Sequence, residues 1–234
     1  MFELTYYGNA LIARRIKESG DMNGDEINKT FIQGESGPKR FYKGTLNFVD
    51  VTRRIYVLWT TEILIGREPS CDICLPDKRV SRKHAIVNVG VDGARFCDLQ
   101  SSNGSARNGE KVEGVIILNN GDILEIGGAF KLGAKVREKD DVVESLLISA
   151  GVEEYLLTQS EMLIGRDPAR VDVAADDPEM EPVHAQIEFI YDTPIITSLV
   201  EAKPVMVDGH PTRSAGLRPF SILLIGNTKF TWRF

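Results

Sequence analysis

Histidine and cysteine are scarce in this chain, three of each in 234 residues. Three cysteines, with no secretory signal at the start of the sequence, make a disulfide framework unexpected. No apolar run approaches the roughly 18 residues of a spanning helix, and Arg14 and Arg15 follow polar residues instead of preceding an apolar stretch. The expectation is a cytoplasmic protein without membrane insertion. None of His84, His184 and His210 stands in a motif with a serine or cysteine nucleophile, and no glycine-rich nucleotide loop opens a helix. Neither enzymatic activity nor a cofactor is therefore expected. Sustained 3.6-residue periodicity is missing too, residues 9–19 being the one stretch that suggests a short helix.

Cys71-Asp72-Ile73-Cys74 has the spacing of a redox pair or half a zinc site. A redox pair requires a helix start after a strand, and this segment is strand-like up to Leu75-Pro76. The zinc reading lacks a second half, so the cysteines are read as small strand residues and no metal is expected. The net charge of −6 is uneven: residues 1–43 sum to +1, 44–137 to +2 and 138–234 to −9. No basic, aromatic-rich face emerges, which argues against nucleic acid as a partner.

What is abundant is short apolar segments with strand character. Ile55-Tyr56-Val57-Leu58-Trp59, Ile63-Leu64-Ile65, Ala85-Ile86-Val87-Asn88-Val89 and Ile123-Leu124-Glu125-Ile126 are of this kind, and Asn108-Gly109 and Asn120-Gly121 mark turns. Such spacing indicates an all-β sandwich. The pattern also occurs twice. Gly66-Arg67 matches Gly165-Arg166, His84 matches His184, and Asn108-Gly109 matches Asp208-Gly209, at a steady offset of 99 or 100 residues. The expected organisation is an N-terminal extension over 1–43, part strand and part mobile loop, then one sandwich over 44–137 and another over 138–234. Arg137-Glu138-Lys139-Asp140-Asp141 has the composition of a linker between them.

Arg67, Ser81, Arg82, Ser102 and Asn103 recur on loops between strands. A guanidinium, hydroxyls and a turn amide are donors suited to a dianionic phosphate. Gly66-Arg67, Ser81-x-x-His84 and Asn103-Gly104, in this order and spacing, resemble the forkhead-associated (FHA) family. The resemblance covers residues 44–137. It implies a β-sandwich whose loops bind phosphothreonine peptides and which has no catalytic activity of its own. It also implies that Arg67, Ser81, Arg82, Ser102 and Asn103 contact the ligand, while Gly66, His84 and Gly104 support the loops. Arg79 and Lys83 raise the local positive potential or are solvated surface charge.

The second copy keeps Arg166 and His184 but has Glu181 in place of Ser81 and Ala202-Lys203-Pro204 in place of Ser102-Asn103-Gly104. Asp176, Asp177, Glu179 and Glu181 are expected to crowd the phosphate position, each carboxylate repelling a unit of phosphate charge by about 3 kcal/mol at about 5 Å. That copy reads as degenerate. The expected function is a non-enzymatic adaptor in serine/threonine-kinase signalling, with a phosphothreonine protein, a kinase or its substrate, as partner. The alternative is a structural subunit of a secretion or other assembly that binds independently of phosphate. Thr5 and Thr30 are candidate phosphorylated epitopes for the first domain. The oligomeric state is not legible in the sequence.

Overall fold

The computed structural model describes residues 2–7, 10–15, 42–90, 93–158, 160–191 and 193–234, with side chains from residue 44 onward. The described residues form strands, turns and loops without a helix, as the all-β expectation required. The extension contributes a hairpin of Phe2–Tyr7 and Ala10–Arg15. Within the stretch 9–19 that suggested a short helix, the described residues Ala10–Arg15 form a strand instead, in which Leu11 and Ile12 pair across to Tyr6 and Thr5. Thr30 lies outside the described residues, as does most of the segment read as a mobile loop.

A five-stranded sheet, ordered Val115–Leu118, Gly93–Asp98, Ala85–Gly90, Glu62–Gly66 and Ile73–Cys74, belongs to the first copy. Its counterpart in the second copy is Val173–Ala174, Glu161–Gly165, Ala185–Ile190, Thr193–Ser198 and Ser214–Gly216. The remaining strands from residue 42 onward join in one twelve-stranded sheet shared by both copies. At its centre the hairpin Val142–Ala150 with Glu153–Thr158 lies beside the hairpin Arg54–Leu58 with Tyr42–Phe48. The two hairpins meet through a parallel pairing of Tyr155 with Tyr56 and Leu157 with Leu58.

These hairpins are exchanged between the copies. Strand Tyr42–Phe48, which opens the first copy, pairs with Thr228–Arg233, which closes the second. Strand Val142–Ala150 pairs with Phe130–Lys139, the last strand of the first copy. The chain leaves no other choice here. Residues 137–141 are not a linker: Arg137 to Lys139 end a strand, and Asp140 and Asp141, at φ 50° and 63°, close a two-residue hairpin turn. Positive φ at both central positions is the geometry that matches strand twist, so the next strand must fold straight back. Arg137 is itself buried, with Nε 2.9 Å from Asp172 Oδ1 and a further pairing to Glu144.

Two hydrophobic cores result, one on each face of the shared sheet. Along Arg54–Leu58, Tyr56 and Leu58 enter the first core while Ile55 and Val57 enter the second. Leu146 and Ile148 likewise face the first core and Leu147 the second; Tyr155 and Leu157 face the first and Leu156 the second. Successive strand residues point to opposite faces, so the two five-stranded sheets cover the shared sheet from opposite sides. Trp232 and Phe230 fill the second core, and Trp232 sits so close to Gly44 that a Cβ there would lie 2.2 Å from the indole.

Candidate functional site

The site begins where strand Glu62–Gly66 ends. A Cβ on Gly66 would stand 2.2 Å from the Arg82 carbonyl oxygen, so only glycine lets the two loops approach this closely. Arg67 N–H then donates to the Ser81 carbonyl (3.0 Å) and Glu68 N–H to the Arg82 carbonyl (3.2 Å), leaving the Arg67 side chain exposed. Beneath these loops the buried Cys71 thiol donates to the Arg82 carbonyl and the Cys74 thiol to the Arg67 carbonyl. Of the two cysteines read from sequence as small strand residues, Cys74 ends the strand Ile73–Cys74 whereas Cys71 lies in the bend before it, and both bond to the backbone of the loops.

His84 is fully buried and ties the Ser81 loop to the Gly104 loop. Its Nδ1 accepts from Ser81 N–H at 3.0 Å, which leaves Nε2 to donate to the Gly104 carbonyl at 3.2 Å. Asp98 stands 3.5 Å from Nε2 and accepts from Ser101 N–H, Ser101 Oγ and Ser105 Oγ at 2.7, 2.8 and 2.5 Å. Burial pushes the His84 pKa below its ordinary 6.5, against opposing pulls from Asp98 and the Gly104 carbonyl. His184 is lowered too, again by burial first. The neutral ring is the form the folded site uses.

A pH dependence follows. The stabilisation carried by each neutral ring is complete above the unfolded value near 6.5 and is lost as pH falls below it, because the unfolded chain takes up the proton first. Denaturant midpoints are expected to fall on acidification through that range. His84→Gln is expected to have a lower midpoint throughout but a shallower slope. An unchanged slope in that variant would contradict the neutral-ring assignment.

Arg67, Ser81, Arg82 and Ser102 line one cavity of about 630 Å³. Ser81 Oγ also accepts from Ser102 N–H at 3.0 Å, fastening two walls of the cavity to each other. Asn103 is not among the lining residues. Its Nδ2 donates to the Arg79 carbonyl at 2.7 Å and clamps the loop that carries Ser81. Lys78, Arg79 and Lys83 join the lining. Sequence reasoning weighed Arg79 and Lys83 but passed over Lys78, whose signal was the continuous run Lys78-Arg79. It also passed over Asp98, announced by a carboxylate three residues before Ser101.

The second copy repeats this frame with different chemistry. Arg166 N–H donates to the Glu181 carbonyl (2.9 Å), Glu181 N–H to His184 Nδ1 (3.2 Å), and His184 Nε2 to the Lys203 carbonyl (3.2 Å). Lys203 Nζ bonds the Glu179 carbonyl at 3.1 Å, as the Asn103 amide bonds that of Arg79, and it pairs with Glu181 at 2.7 Å. The hydrogen bond from Lys203 holds the Glu181 carboxyl below the usual carboxylate range. Of the four carboxylates expected to crowd this position, Asp177 instead turns inward. It is buried and accepts from Asn227 N–H (2.7 Å) and Thr228 Oγ (2.8 Å). Asp176 and Glu179 are exposed.

Residues 63–127 match the family model of the FHA domain. Glycogen accumulation regulator GarA of Mycobacterium tuberculosis is 38 % identical over 78 residues, covering 32 % of this chain and 48 % of GarA. An ABC transporter ATP-binding/permease protein of the same organism is 31 % identical over 86 residues, covering 36 % of this chain and 10 % of the transporter. Among solved structures, EmbR of Mycobacterium tuberculosis in complex with a low-affinity phosphopeptide is 28 % identical, covering 46 % of this chain and 25 % of EmbR, with a TM-score of 0.30. The part of the chain that is similar to the FHA domain thus lies in the first copy. The chain matches half or less of the length of these curated relatives. No helix among the described residues is long and apolar enough to cross a membrane.

Proposed function

We propose that this protein is a non-enzymatic, cytoplasmic adaptor that binds phosphothreonine peptides through the first sandwich, whose loops come from residues 44–137. Arg67, Ser81, Arg82 and Ser102 hold the phosphate, Asn103 sets the loop beside it, and Gly66, His84 and Gly104 fix the frame. The observation that carries the reading is the convergence of the first four on one basic cavity, braced from below by a buried neutral histidine. Arginine-centred clusters of this type recognise phosphorylated peptides. The partner class is a phosphothreonine-bearing protein of a serine/threonine-kinase system.

The test is an array of matched phosphorylated and unphosphorylated peptides probed with the whole protein. Phosphothreonine members are expected to bind and their unphosphorylated counterparts to remain at background. Equal signal from both sets would overturn the reading.

For the second sandwich, with loops from residues 138–234, the phosphate-independent alternative is favoured. An internal carboxylate, Glu181, already stands in the loop position of Ser81 and is neutralised by Lys203. This half is proposed to pack against a protein partner without reading phosphate. Its association with such a partner is expected to survive phosphatase treatment, and loss on treatment would contradict the assignment.

A further inference from the structure

We propose that the preferred ligand of the first sandwich carries a second anionic group close to its phosphothreonine. This rests on the phosphothreonine reading above and specifies the ligand class of the same site. The cavity is lined by five cations, Arg67, Lys78, Arg79, Arg82 and Lys83, and by a single carboxylate, Glu68. A phosphothreonine brings only about −1.5 to −2 charges. Arg79 is partly answered by Asp77, whose Oδ2 lies 2.9 Å from Nη2. Lys78 and Lys83 are exposed, and neither holds an ion pair among the described residues. With Arg67 and Arg82 on the phosphate, Asp77 on Arg79 and Glu68 set against one of the two lysines, about one positive charge remains beyond what a single phosphate neutralises.

The second copy serves as a control on whether the fold needs them. The positions of Lys78, Arg79, Arg82 and Lys83 are occupied there by Pro178, Glu179, Pro182 and Val183. The loop backbone is nevertheless the same. Val80 N–H donates to the Asp77 carbonyl at 3.0 Å, and Met180 N–H to the Asp177 carbonyl at 3.1 Å. Five like charges around one cavity repel one another in the unliganded protein, and the same loop hydrogen bond forms in the second copy without four of them. A chain of net charge −6 that gathers cations here against that repulsion is matched to an anion larger than one phosphate.

The extra anion can be a second phosphate or an acidic side chain, and the experiment separates them. The intact protein is titrated with a phosphothreonine peptide of neutral flanks, with the same peptide carrying a second phosphorylated residue at each position on either side in turn, and with aspartate at those positions. At one or more positions the second phosphate is expected to tighten binding by about tenfold, the equivalent of one added charge-assisted hydrogen bond, and aspartate by less. In the Lys78→Ala/Lys83→Ala protein that ratio is expected to collapse towards one. Equal affinity for singly and doubly charged peptides, or a ratio that survives the double substitution, would overturn the inference while leaving the phosphothreonine reading standing. Binding of none of the phosphopeptides would overturn both.

Discussion

Arg67→Ala is expected to lower the affinity of the intact protein for a phosphothreonine peptide by about a hundredfold, and Arg166→Ala to leave it within about twofold of wild type. A planar guanidinium can pair bidentately with phosphate oxygens. Hydrogen bonds to charged groups are worth roughly 1.5–3 kcal/mol each, and losing about 3 kcal/mol is a little over a hundredfold in affinity. Arg67 lines the cavity, and its loop is fixed by backbone bonds to Ser81 and Arg82, so little ordering remains to be done on binding. Arg166 has the same backbone ties but faces the Glu181–Lys203 pair. Ser81→Ala is a milder case, about tenfold, because the hydroxyl contributes one donor and also receives the Ser102 amide. Calorimetric titration of the three variants checks the order. An Arg166→Ala effect as large as that of Arg67→Ala would place binding in the second copy and remove the distinction drawn between them.

Local structure was the most legible part of this sequence. Asn108-Gly109 turns with φ of 53° and 86°, and Asp208-Gly209 with 51° and 83°, as those dipeptides announce. The grouping of Arg67, Ser81, Arg82 and Ser102 came from the resemblance to the FHA family, since of the four only Arg67 directly follows a strand, Glu62–Gly66, while Ser81 and Arg82 lie in the loop between Ile73–Cys74 and Ala85–Gly90. The misreadings have physical causes. Residues 9–19 carry an apolar pattern short enough to suit either period, and for the described residues 10–15 strand pairing decided it. Residues 137–141 looked like a linker because they are charged. Charge does not distinguish a solvated connection from a hairpin turn, and Arg137 is buried among carboxylates supplied by the second copy.

The hairpin exchange had a signal that composition hides. Ile55-Tyr56-Val57-Leu58, Leu146-Leu147-Ile148 and Tyr155-Leu156-Leu157 are unbroken apolar runs. A strand with one wet face alternates, whereas one covered on both faces does not. The central strands are covered on both faces. By contrast Ala85–Gly90 alternates buried and half-buried positions along its length, as a strand in a two-layer sandwich should.

Leu46→Ala and Leu146→Ala are therefore expected to have crossed effects. Leu46 lies early in the first copy, yet it is fully buried in the second core opposite Trp232. Leu146 opens the second copy and is fully buried in the first core, paired with Val136 and Leu157. Each truncation is expected to cost about 2–5 kcal/mol, a large share of the stability of a domain this size. Amide hydrogen exchange reads out where the loss falls. Leu46→Ala should reduce protection chiefly along Ala185–Ile190 and Leu146→Ala chiefly along Ala85–Gly90, with phosphopeptide affinity on warming lost sooner in the second variant. Two independent sandwiches divided at residue 137 would give the opposite assignment. The same geometry predicts that residues 138–234 alone do not fold, since Leu46, Ile55 and Val57 are missing from their core. Burying those three side chains is worth roughly 1.5–3 kcal/mol each, and without them Trp232 and Phe230 lose the hairpin that covers them. The two loop sets, one lined by cations and one holding the Glu181–Lys203 pair, are thus held on a single sheet, each resting on a hairpin that the other copy supplies.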